Sequence, residues 1–126
     1  MIRYRVYISE FKRKIIGEFH LRDIKAKHYI FIKQKQIIGI SRIICKGNIA
    51  ELGRVAILKE HRKQGNGSKL IEQIINYIKA NTKVNTISLY AEDKKLIAFY
   101  KQFGFHEKQE VYFNNLPYMN MQKLIN

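Results

Sequence analysis

At 126 residues the chain has room for one domain, read here as spanning 1–126. Apolar residues at 46% and charged residues at 27% fit a packed globular core, and a single proline excludes a proline-rich linker. The formal net charge of +14 raises the question of nucleic acid, yet residues 1–46 alone hold twelve Lys/Arg against Glu10, Glu18 and Asp23, and the rest is spread without interleaved aromatic residues. In chain order, residues 3–20 mix aromatic and basic side chains, with Phe11, Ile15 and Phe19 at helical spacing, and read as a short helix or irregular arm. His28–Ile32 reads as a strand, Gln34–Gln36 as a turn, Ile37–Cys45 as a second strand closed by Gly47-Asn48, and Ile49–Leu58 as a third. Residues 28–58 therefore form an antiparallel meander.

The hydrophobic period then changes. Leu70, Ile71, Ile74, Ile75 and Ile78 make one stripe of an amphipathic helix that runs from Gly65–Gly67 to Asn81. Val84–Ala91 reads as the next strand. Reached through a helix, it should lie parallel to the third strand in a right-handed βαβ unit. Leu96 to Phe103 forms a short helix stopped by Gly104. Strands at 105–113 and 118–124 follow, hinged by Asn114-Asn115-Leu116-Pro117. The fold class is α/β or α+β, a mixed, mostly antiparallel sheet with few helices.

The segment Arg62-Lys63-Gln64-Gly65-Asn66-Gly67-Ser68-Lys69 joins a strand to a helix. Its glycines let backbone approach a ligand closely, and the first helical turn offers unpaired N–H groups at the positive end of the helix dipole. Arg62, Lys63 and Lys69 add charge, so the loop is an anion site. A nucleotide P-loop requires Gly-Lys-Ser/Thr, whereas Ser68-Lys69 comes in the reverse order. A dinucleotide fingerprint requires a third glycine where Leu70 stands. A plain glycine-containing turn is the simplest competing reading.

The spacing R-x-x-G-x-G over Arg62–Gly67 resembles the acyl-CoA loop of the GNAT superfamily of N-acetyltransferases. The resemblance extends to Glu51–Leu58, which matches the splayed central strand of that family, and to Phe99-Tyr100-Lys101-Gln102-Phe103-Gly104-Phe105, which matches its FYxxxGF signature. Asp23-x-x-Ala26-x-His28 and Leu116-Pro117-x-Met119-x-Met121 are similar to a small bacterial subgroup. The sequence departs from the pattern in three ways. The family's first strand has no counterpart, so residues 2–11 read as the end of a first helix, and the 28–33 strand becomes a free edge, to be covered by the N-terminal arm or a second chain in a homodimer. Tyr118 stands where the subgroup carries histidine, and Glu92 or Asp93 where it carries Gln or Asn. Tyr118, Glu92 and Asp93 are accordingly set aside as functional residues.

The resemblance implies acetyl-CoA as cosubstrate, with pyrophosphate on the loop Arg62, Lys63, Gln64, Gly65, Asn66, Gly67, Ser68 and Lys69. It implies a pantetheine arm paired with the backbone of Val55, Ala56 and Ile57 as an added strand. Direct transfer to a primary amine needs a base, a stabilised oxyanion and a proton for the leaving thiolate. Tyr100 is the implied proton donor, against the simpler reading of a core aromatic. Glu51, eleven residues before Arg62, is the candidate base, with His28 and His61 as further candidates. Arg54 falls on the face of Leu52 and Ala56 by strand alternation. Two other readings stay open, a non-catalytic acyl-CoA-binding relic and a basic nucleic-acid-binding module. Met1–Arg5 lacks the apolar stretch of a signal peptide, no apolar run approaches the ~20 residues of a membrane span, Cys45 has no intramolecular disulfide partner, and no Cys/His cluster has metal spacing. A cytoplasmic setting without a metal is expected.

Overall fold

A computed structural model describes residues 27–125. The expectations for residues 2–20 and for Asp23 and Ala26 concern positions outside that range. Two hairpins are shaped by turns with left-handed backbone at both central residues. Gln34 and Lys35 have φ of 52° and 66°, and Asn114 and Asn115 have 52° and 65°. Such pairs match the right-handed twist of the strands they join, and asparagine tolerates that conformation better than most residues.

The first turn joins β1 (Lys27–Lys33) to β2 (Gln36–Lys46), and a turn at Gly47 (φ 58°) leads into β3 (Ile49–Ile57). A short 3-10 turn, Lys59–His61, precedes helix α1 (Asn66–Asn81). Then come β4 (Thr86–Ala91), helix α2 (Lys94–Lys101), β5 (His106–Phe113) and β6 (Leu116–Leu124). The six described strands form one sheet in the order β1-β2-β3-β4-β6-β5, in which β3 and β4 are parallel and every other pair is antiparallel. The expected meander, βαβ unit and final hairpin are all present, and β1 is an edge strand among those described.

Four boundaries differ from the sequence reading. β4 begins at Thr86 because the Asn85 and Thr86 N–H groups both bond to Asn48 O instead of starting a ladder at Val84. Helix α2 starts at Lys94 because Asp93 caps it, its carboxylate accepting from the Leu96 N–H at 2.9 Å. It ends at Lys101, two residues before Phe103, and Gly104 carries the left-handed stop (φ 90°). The last turn is only Asn114-Asn115, so Leu116 and Pro117 belong to β6. Proline is accommodated there because β6 pairs with β4 only from Met119 onward.

The stripe Leu70, Ile71, Ile74, Ile75 and Ile78 is buried against Ile38, Ile43, Ala50, Leu52, Ile87, Leu89 and Met121. Burying each such aliphatic side chain contributes ~1.5–3 kcal/mol, so this face holds α1 to the sheet. A smaller cluster of Ile37, Ile40 and Leu58, with Ile30 and Ala56, lies apart from it.

Candidate active site

The site arises where two adjacent parallel strands part. β3 and β4 share only three rungs, Ile49↔Thr86, Ala50↔Ile87 and Glu51↔Ser88. Beyond them β3 carries a bulge. Against β2, Ser41 alone stands opposite Arg54 and Val55, between the rungs Ile40↔Ala56 and Arg42↔Gly53. Arg54 takes φ 52°, a left-handed conformation that is costly for a side-chain-bearing residue. Ser41 is fully buried there, its hydroxyl 3.3 Å from the Gly53 carbonyl oxygen. A bulge bends its strand and increases local twist, which carries β3 away from β4. It also resets the alternation. Leu52 packs in the main core with Val55 and Ile57, while Ala56 joins the second cluster. The expectation that Leu52 and Ala56 share a face with Arg54 therefore fails, because the extra residue moves everything after it to the other side.

The parting strands leave a cleft of about 410 Å³. One wall is β3 from Leu52 to Ile57, and the other is Leu89, Tyr90 and Glu92 at the end of β4. Leu96, Phe99 and Tyr100 of α2 contribute, and Arg62 and Gly67 reach it from the loop before α1. Residues 56 and 57 keep their rungs to β2, so their opposite edge faces the cleft and can pair with an extended ligand. Arg62 already uses one such group, its Nε donating to Ile57 O at 2.9 Å. A larger groove of about 630 Å³ lies beyond α2 and shares Glu92, but the smaller cleft is the one that meets the α1 N-terminus.

At that N-terminus Gly65 caps the helix with φ 77°. The N–H of Lys69 is satisfied by Gly65 O at 3.1 Å, whereas the N–H groups of Asn66, Gly67 and Ser68 precede any intrahelical acceptor and point out of the helix end. The loop has an internal brace. Asn66 is 1% exposed; its Nδ2 donates to His61 O at 2.8 Å and its Oδ1 accepts from Lys33 Nζ at 3.3 Å. Gln64 donates to Glu60 O at 3.1 Å. The Asn66 and Gln64 side chains are thus engaged within the loop, leaving their backbone to face a ligand. Arg62, Lys63, Gln64, Gly65 and Lys69 are exposed, and Gly67 and Ser68 half-buried.

Tyr100 lies at the cleft wall, buried between Phe99 and Phe105 with ring centroids 5.2 and 5.8 Å away. Desolvation, with the Glu92 carboxylate as the second cause, pushes its phenol from 10.0 up to about 12. The proton therefore stays on the oxygen throughout the neutral range. Glu92, set aside in the sequence reading, is a cleft residue, and its separation from Tyr100 along the chain concealed this.

Glu51 occupies the last β3–β4 rung, half-buried and one step below the opening. Ala50 and Leu52 face the core, so Glu51 projects from the opposite face, alongside Ser88. That face carries a buried polar group in which Asn120 Nδ2 donates to Ser88 Oγ at 2.9 Å and to Leu89 O at 3.1 Å, and Gln122 donates to Asn120 Oδ1 at 3.2 Å. The cleft walls gather Val55, Ala56, Ile57, Arg62, Gly67 and Tyr100 but not Glu51, His28 or His61. His28 sits opposite Arg42 on β1–β2, and His61 ends the 3-10 turn. Cys45 is exposed at the far end of β2, and no group of three His, Cys, Asp or Glu among the described residues could hold a metal ion. No described helix is long and apolar enough to cross a membrane.

Comparison with known proteins agrees with this geometry. The Bacillus subtilis protein YyaT, itself uncharacterised, is 28% identical over 128 residues, covering 98% of this chain and 85% of its own length. A GNAT family acetyltransferase from Elizabethkingia anophelis, crystallised with acetyl-CoA bound, superposes with a TM-score of 0.71 over 81% of this chain and 78% of its own, at 14% identity. ElaA of Escherichia coli superposes with a TM-score of 0.72 over 96% of this chain and 86% of its own, at 19% identity. Residues 5–125 match the acetyltransferase (GNAT) domain, and the chain belongs to that family of acetyltransferases.

Proposed function

We propose that the protein transfers an acetyl group from acetyl-CoA directly to the nitrogen of a primary amine, in the cytoplasm. The observation that carries this reading is the cleft itself, where one opening joins an anion-binding helix N-terminus, a free strand edge and a buried, protonated phenol. The pyrophosphate rests on the N–H groups of residues 66–68, with Arg62, Lys63 and Lys69 adding charge. The pantetheine amides pair with the edge of Val55, Ala56 and Ile57. This directs the thioester toward Tyr100, which protonates the departing thiolate. Glu51, on the opposite face, accepts the ammonium proton from the acceptor through water.

Cys45, the chain's single cysteine, lies away from the cleft, which favours direct transfer over an acyl-cysteine intermediate. Initial-rate kinetics with both substrates varied tests the mechanism. Intersecting double-reciprocal lines are expected, and parallel lines would indicate a covalent acyl-enzyme. Glu51→Gln should lower kcat/KM and remove the low-pH limb of its profile. An unchanged limb would assign the base elsewhere, with His28 and His61 next to be replaced.

A further inference from the structure

We infer that the acceptor is an amine carried on a short chain from an aromatic ring, and that the ring docks on the exposed wall made by Tyr90, Phe113 and Tyr118. The inference rests on the acetyl-transfer reading and adds the chemical class of its second substrate.

Strand alternation places these three side chains together. Ile87, Leu89 and Ala91 of β4 and Met119 and Met121 of β6 face the main core, so Tyr90 and Tyr118 project from the other face. The rungs Tyr90↔Asn120 and Val111↔Tyr118 bring β4, β6 and β5 side by side there. The Phe113 ring stands 5.2 Å from that of Tyr90 at 87°, and 5.3 Å from that of Tyr118 at 63°. These edge-on contacts hold the rings in a fixed array without covering them, since Tyr90 remains 37% and Phe113 47% exposed, beside Leu116 at 58%.

Tyr90 is also a wall of the transfer cleft, so the array begins where the acetyl group is presented. A ring resting on Phe113, with a chain of about two carbons, carries its amine past Tyr90 into the cleft, and the ring array supplies the geometry that aromatic pairs prefer. Charge argues in the same direction. Each further ammonium of a polyamine needs a carboxylate, but the residues that β4, β5 and β6 pair onto this face are aromatic, aliphatic, amide, hydroxyl or imidazole. Glu107 and Glu110 pair with Met121 and Met119 and so belong to the opposite face. The net charge of +14 further disfavours a polycation. Three rings and a leucine also fall short of the ~800 Å² per partner of a stable protein interface.

The test compares kcat/KM for 2-phenylethylamine, n-propylamine and spermidine in the full chain and in Phe113→Ala and Phe113→Tyr, with acetyl-CoA affinity measured by calorimetry in each. The aromatic amine should be preferred over n-propylamine by about tenfold or more, and Phe113→Ala should erase about tenfold of that ratio. Phe113→Tyr should retain it, and acetyl-CoA affinity should be the same in all three proteins. Preference for spermidine, or a ratio unaffected by Phe113→Ala, overturns the assignment while leaving acetyl transfer intact. So does a dimer in sedimentation that Phe113→Ala dissociates without altering the ratio, since the wall then belongs to a second copy. Acetyl-CoA binding without acetylation of any of the three amines removes the transfer reading itself and this inference with it.

Discussion

Replacing Tyr100 by phenylalanine removes one oxygen from a side chain that is 6% exposed and keeps the ring contacts to Phe99 and Phe105. Two magnitudes follow. Loss of a general acid lowers turnover by roughly 10²–10⁴, while loss of a buried hydroxyl alters stability by only ~1 kcal/mol. Coenzyme affinity should barely change, because the phenol serves the leaving thiolate and not the ground-state ester. The raised phenol value adds an independent check on burial. In the unfolded chain the group ionises near 10.0, and in the folded chain only near about 12. Its stabilising contribution is complete below pH 10 and is lost as the pH rises toward 12. At about 1.4 kcal/mol per unit, the wild type should lose ~3 kcal/mol over that window that Tyr100→Phe retains. Stopped-flow detection of free thiol measures the first effect, and denaturant unfolding at several alkaline pH values measures the second. Equal turnover in the two proteins would remove Tyr100 from the mechanism, and parallel pH–stability curves would refute its desolvation.

Three further predictions concern the phosphate loop. Gly67→Glu should abolish acetyl-CoA binding in a folded protein, because an added Cβ meets only the Phe99 ring at 3.6 Å while the carboxylate faces the anion site; calorimetry that returns wild-type affinity would sink the loop assignment. Asn66→Ala removes two hydrogen bonds from a side chain that is 1% exposed and should cost ~1–3 kcal/mol in denaturant unfolding, whereas an unchanged midpoint would mean that the loop needs no brace. Affinity for acetyl-CoA should weaken as salt is raised, since Arg62, Lys63 and Lys69 are exposed and screened; a flat titration would mean that apolar contacts dominate.

The sequence carried the elements whose signals are local. The α1 stripe is a strong 3.6-residue pattern, the turn asparagines mark their hairpin, and two glycines before a helix mark an anion site. The signals it lacked depend on pairing between distant strands. The Arg54 bulge appears only once Ser41 is set against two residues, and no residue at 54 announces it, since arginine is a poor choice for a left-handed backbone. The face assigned to Ala56 was wrong for that reason. Asn66 was grouped with ligand contacts because it lies inside the motif, yet its side chain is turned inward. Glu92 was dropped on an alignment argument although it lines the cleft and acts on Tyr100. Tyr118 was dropped likewise, and the ring array it completes with Tyr90 and Phe113 spans three strands. Paired asparagines flanked by Phe113 and Leu116 were the one local hint of an exposed hairpin tip.

The most direct test of the central claim is a product balance. The protein is incubated with acetyl-CoA and a primary amine, and free thiol and N-acetyl product are quantified from the same samples, with Gly67→Glu alongside. Acetyl transfer in this cleft predicts one equivalent of amide for each equivalent of thiol, and neither product from the variant. Thiol released without amide would mean hydrolysis, and amide formed equally well by Gly67→Glu would place the chemistry elsewhere.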